Sequence, residues 1–162
     1  MVTIYHRTVE KGIILLGKDL KDVGKVKKIF KGSKRPLSIV DSKTKLVLNY
    51  KPDVYFILKN NKKLIFEILD SEEKKQDIII ADVIRSFLVE NVEALIFIYP
   101  GSERDESTII EALKTVYKGL IDKGVQPEDL PNSGKTGAYS VTRAEAQTPE
   151  TVKSKLEEHS IC

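Results

Sequence analysis

The run Ala94-Leu95-Ile96-Phe97-Ile98-Tyr99, stopped by Pro100-Gly101, constrains the fold more than any other stretch of the chain. It is almost continuously apolar, as a strand buried on both faces of a sheet is. Helical spacing precedes it at Ile80, Ile84, Phe87, Leu88 and Asn91, and resumes after it over about Glu106–Lys123 through Ile109, Leu113, Val116 and Leu120. Ser71 offers a helix cap, with Glu72 and Glu73 in the first turn where carboxylates suit the positive end of the dipole. A buried strand between two crossover helices predicts an α/β domain.

Upstream, Leu37–Val40, Leu46–Asn49, Val54–Leu58 and Leu64–Leu69 are short runs of branched and aromatic residues separated by polar clusters, and they read as strands. Asn60-Asn61 falls between the last two, where a tight antiparallel turn needs residues tolerant of left-handed backbone. Within residues 8–30, Val9, Ile13, Leu16, Leu20, Val23 and Ile29 recur at mostly helical steps. Gly12, Gly17 and Gly24 interrupt that stripe, so a strand through Ile13–Leu16 is the alternative.

With 162 residues the chain is expected to form one domain, its core spanning 1–125. Residues 126–162 read as a loosely ordered polar extension, with a short terminal helix from Pro149 capped by Thr148. No uncharged stretch approaches the ~18 residues of a membrane span and no signal-peptide core is present, so the expected compartment is the cytoplasm. One cysteine excludes an intrachain disulfide, and with two histidines it leaves too few soft ligands for a conventional zinc site. Net charge is only +3, but basic residues crowd the stretch from Lys18 to Arg35. Lys25, Lys27 and Lys28 there, with Lys51, are candidate phosphate contacts; a solvated helix face is the plainer reading of the run.

The polar exceptions within the strands carry the chemistry. Asp53 opens one strand after Pro52, and Glu67 sits in Leu64-Ile65-Phe66-Glu67-Ile68-Leu69. With the turn near Asn60-Asn61, the two carboxylates become neighbours across the hairpin, and alternation directs Glu67 and Leu69 to one face and Phe66 and Ile68 to the other. Converging carboxylates repel, which raises the proton affinity of one, and a hard divalent cation relieves that repulsion.

Lys51-Pro52-Asp53-Val54, the following hairpin, Phe66-Glu67-Ile68-Leu69-Asp70, the helix 72–91 and the strand 94–99 resemble the PD-(D/E)xK nucleases over roughly residues 45–100. The resemblance implies a restriction-endonuclease-like αβββαβ core, a mixed central sheet flanked by helices. It also implies magnesium or manganese held by Asp53, Glu67 and the backbone carbonyl of Ile68, with Glu10 as an additional acidic ligand from the first helix, and metal-dependent hydrolysis of DNA. Two such sites commonly serve to cut both strands, which is compatible with a homodimer. The family's lysine, two positions past the Glu, is Leu69 here. Either a lysine has migrated, with Lys74, Lys75 and Lys51 as candidates, or another polar group such as Gln76 serves, or the domain is catalytically silent and binds nucleic acid or a protein partner.

Asp70 reads as a helix-start residue, and Asp82 and Arg85 as occupants of a solvated helix face. Ser133-Gly134-Lys135-Thr136 resembles the end of a phosphate-binding loop, but Asp129 stands where the first glycine belongs.

Overall fold

The computed structural model describes residues 2–41, 43–70, 75–101, 103–132, 135–159 and 161, and only the backbone of Lys75, Glu103 and Arg104. The expected cap at Ser71 and the candidate Lys74 lie outside the described residues. The elements run α1 (Ile4–Asp22), β1 (Val26–Lys31), β2 (Leu37–Val40), β3 (Val47–Tyr50), β4 (Val54–Leu58), β5 (Lys63–Ile68), α2 (Lys75–Leu88), β6 (Val92–Tyr99), α3 (Glu103–Asp122), a 3-10 turn at Pro127–Asp129, β7 (Gly137–Ser140) and α4 (Pro149–Glu158). Five strands form one sheet in the order β1-β4-β5-β6-β7, while β2 and β3 form a separate two-stranded ribbon. β1, β4 and β5 run antiparallel, and β5, β6 and β7 parallel, so the sheet is mixed.

Strand alternation divides the core into two layers. Ala94, Ile96 and Ile98 of β6, with Phe56 and Phe66, meet Val9, Ile13 and Leu16 of α1 and Val152 and Leu156 of α4. Leu95, Phe97 and Tyr99, with Ile65, meet Ile79 and Val83 of α2 and Ile109 and Leu113 of α3. β6 is the strand buried on both faces, as its continuous apolar run requires. No helix among the described residues is long and apolar enough to cross a membrane.

The N-terminal segment differs from the expected helix over 8–30. α1 starts earlier, at Ile4, where the Thr3 hydroxyl accepts the His6 amide. It stops at Asp22 because Gly24 adopts φ +80, letting the Gly24 and Lys25 amides close on the Lys21 and Leu20 carbonyls. Val26–Lys31 is then a strand, and Ile29 belongs to it. The strand through Ile13–Leu16 does not form; Gly12 sits inside the helix because a Cβ there would collide with Val152 of α4.

Residues beyond 126 are not a loose extension. β7 extends the sheet beside β6, and α4 packs its Val152 and Leu156 into the α1 layer. The Thr148 cap is present and reciprocal with Thr151. β7 escapes a pattern-based reading because it is four residues long and begins with glycine.

Candidate active site

β4 and β5 pair with Val54 opposite Phe66 and turn at Asn61, whose φ is 68°. This register puts Asp53 directly across from Glu67, at the carboxyl ends of the parallel strands β5 and β6, where ligands of open α/β sheets bind. The two residues interlock. The Asp53 amide donates to Glu67 Oε1 at 3.1 Å, and the Ile68 amide donates to Asp53 Oδ2 at 2.7 Å.

Groups from four other elements complete the cluster. His6 Nε2 of α1 lies 2.9 Å from Asp53 Oδ1, and its Nδ1 faces Glu10 Oε2 at 3.7 Å. Glu10 is tied in turn to Lys31 of β1 at 2.7 Å. From β3, the Tyr50 hydroxyl donates to Glu67 Oε1 at 3.3 Å. From α2, Asp82 lies buried beside Glu67, its Oδ1 paired with Arg85 at 2.9 Å and its Oδ2 without a donor. A cleft of about 590 Å³ opens beside the pair, lined by Thr3, His6, Glu67, Leu69, Ile78 and Arg143.

The electrostatics follow from crowding acids in a poorly solvated place. Glu67 is held well above the usual carboxylate range by burial, then by the charges of Asp82 and Asp53. Asp82 is also raised, by burial, although Arg85 opposes the shift. His6 is raised above its ordinary value chiefly by its hydrogen bond to Asp53, against the opposing effect of burial. Burial and the Glu67 charge push the Tyr50 hydroxyl upward, so it stays a neutral donor.

The expected residues separate into near and far groups. Asp53, Glu67 and the Ile68 amide converge, and Glu10 reaches the group through His6. Lys51 is exposed beside Pro52, next in sequence to Asp53, and carries no acidic partner among the described residues. Lys25, Lys27 and Lys28 do not come near the pair: Val26 faces Leu58 and Lys28 faces Ile57, five and four residues along β4 from Asp53, which at ~3.3 Å per residue is about 17 and about 13 Å. They lie on or beside edge strand β1 rather than on a helix face, and Lys27 is bound to Asn61. Gln76 is exposed and faces the groove between α2 and α3. Leu69 is only 4 % exposed and packs in the α2 layer, on the Glu67 side of the strand as alternation requires.

One reading needs correction. Asp82 is not on a solvated face but 2 % exposed, because it shares the helical face of Ile79, Val83 and Ser86. Asp70 faces Thr3 and Arg143 and so joins the cleft wall. His6, Tyr50 and Arg143 were missed outright; for His6 the available signal was Glu10 one helical turn away. The phosphate-loop look-alike is structural in its described part: Lys135 pairs with Glu93 at 2.8 Å and the Thr136 hydroxyl accepts the Leu95 amide.

Among the described residues, no three His, Cys, Asp or Glu side chains are grouped as a cation site requires. No family model, no curated protein and no solved structure matches this chain.

Proposed function

We propose that this chain is a PD-(D/E)xK-like domain that hydrolyses phosphodiester bonds in DNA with magnesium or manganese, in the cytoplasm and as a homodimer where both strands are cut. The interlock of Asp53 and Glu67 across adjoining strand ends carries the proposal. The order α1, β1, β4, β5, α2, β6 supports it, being an αβββαβ series with the β2–β3 ribbon inserted after the first strand.

The donor chemistry suits a hard cation: Asp53 and Glu67 offer oxygens, and the buried Asp82 Oδ2 lacks any donor. The arrangement is not closed, since both Asp53 oxygens already accept hydrogen bonds, one of them from His6. Asp53, Glu67 and the Ile68 carbonyl would hold the ion, and binding would compete with His6 and with the proton on the Glu67–Asp82 pair. The ion would supply a more acidic water and a counter-charge for the phosphate. The chain's own groups prepare the place: His6 aims Asp53, Tyr50 and the Asp53 amide aim Glu67, and Leu69 keeps water from the inner side. Lys51 is the nearest candidate phosphate contact, while Lys25, Lys27 and Lys28 would serve only a longer track along β1.

Incubation of plasmid and branched DNA with magnesium or manganese tests the proposal. Cleavage by the wild type that chelation and Asp53→Asn abolish is expected; wild-type inactivity on every substrate contradicts it. One observation favours a second reading, a silent nucleic-acid-binding domain: Leu69 fills the lysine position, and among the described side chains no lysine amine is bonded to Asp53 or Glu67. DNA binding without cleavage supports that reading.

A further inference from the structure

The segment between β1 and β4 carries a charge that the rest of the molecule does not. Residues 31–51 hold Lys31, Lys34, Arg35, Lys43, Lys45 and Lys51 against the single acid Asp41. That is a net +5 in a chain whose total is +3, so everything outside it sums to −2. The acid is spent locally, its carboxylate accepting the Thr44 hydroxyl at 2.6 Å and the Thr44 amide at 3.2 Å to clamp the turn between β2 and β3. Lys34, Lys43, Lys45 and Lys51 are exposed and have no acidic partner among the described residues.

The same segment is a free two-stranded ribbon. Leu37 pairs with Tyr50 at its buried base, Ser38 with Asn49, Ile39 with Leu48, and Val40 with Val47 toward the tip. Alternation therefore gives it an outer face of Ser38, Asn49, Val40 and Val47. Val40 is 60 % and Val47 53 % exposed, with only each other as cross-strand neighbours on that face. The base is fixed to the acidic site, because Tyr50 donates to Glu67.

We propose that the β2–β3 ribbon docks in a groove of duplex DNA. A two-stranded ribbon fits the major groove, Asn and Ser side chains can bond base edges, and small apolar groups can meet thymine methyls. The unpaired lysines at the tip and base flank that face as phosphate contacts require. Charge decides against a second copy of the ribbon as the occupant, since two +5 surfaces repel. The inference deepens the DNA-cleaving reading and rests on it for the choice of polymer, but binding is measured without metal and so stands apart from cleavage.

A fluorescein-labelled DNA duplex, titrated by anisotropy in EDTA at several salt concentrations, provides the test. The triple variant Lys43→Ala, Lys45→Ala, Lys51→Ala is expected to weaken binding at least about tenfold at low salt and to reduce the slope of log affinity against log salt by about 2.7, roughly 0.9 per phosphate contact. Asn49→Ala with Val40→Ser is expected to narrow the affinity difference between duplexes of different sequence. Lys114→Ala with Lys118→Ala on α3 is the control for net charge and should leave the slope nearly unchanged. Thermal melting confirms that each variant is folded. A triple variant with wild-type affinity and slope overturns the inference, as does a wild type that ignores DNA while the ribbon mediates self-association or protein binding. Ribbon-dependent binding without cleavage would sustain this inference while defeating the hydrolytic reading.

Discussion

Asp82 lies buried beside the Glu67 carboxyl and its Oδ2 meets no donor, so a proton held between the two acids would satisfy an oxygen that is otherwise left bare. Two acids from different elements, one at a strand end and one on α2, thus form a unit placed to share one proton.

That unit fixes a pH dependence. Glu67 is raised above its unfolded value, so the folded state binds the proton more tightly, and the resulting stability is fully present below about pH 4.3 and lost as pH rises through the folded pKa. Glu67→Gln keeps a donor for Asp82 without a charge to neutralise. Melting temperature measured across pH should rise for this variant near neutrality and change little in acid; equal shifts at both ends would show that no proton is held.

His6 acts in a different window. Its value is raised by the Asp53 hydrogen bond, so its contribution is complete below about pH 6.5 and fades as pH rises through the folded pKa. His6→Ala should lower the melting temperature most below that pH, with the deficit shrinking in alkaline buffer. A deficit that is constant with pH would reduce His6 to a packing role.

Gly12 and Gly119 separate propensity from packing. A Cβ at Gly12 collides with Val152, whereas nothing lies within 4 Å of one at Gly119 in α3. Gly12→Ala should destabilise by ~1–3 kcal/mol despite better helix propensity, and Gly119→Ala should stabilise by ~0.4–1 kcal/mol. Chemical denaturation reads both, and a stabilised Gly12→Ala would mean that α4 does not dock on α1 as described.

The same packing explains what the sequence hid. Strand runs, the turn at Asn60-Asn61 and the Asp53–Glu67 register were legible because period-two alternation and turn chemistry are local signals. Gly12 looked like a helix breaker because its reason, Val152, lies far along the chain. Asp82 is buried because Ile79, Val83 and Ser86 share its helical face, a periodicity that its charge masks in the sequence. His6 and Arg143 could not be placed at the site without knowing how α1 and the chain after β7 meet the strand ends.

Leu69→Lys puts an amine at the strand position facing the Glu67 side. Leu69 is only 4 % exposed, so the variant is first shown to be folded by its melting curve. Magnesium-dependent cleavage should appear or increase, since general acid-base help is typically worth ~10²–10⁴-fold. An inert Leu69→Lys that still binds metal would favour the silent binding domain.

The most direct measurement is a calorimetric titration of manganese into the wild type, Asp53→Asn and Glu67→Gln, each first shown to be folded by its melting curve. Saturable binding to the wild type, strengthening as pH rises because the ion displaces a proton, and lost in both variants, is the expected result. Wild-type protein that takes up no manganese, or variants that bind it as well as the wild type does, would contradict the assignment of Asp53 and Glu67 as a cation site.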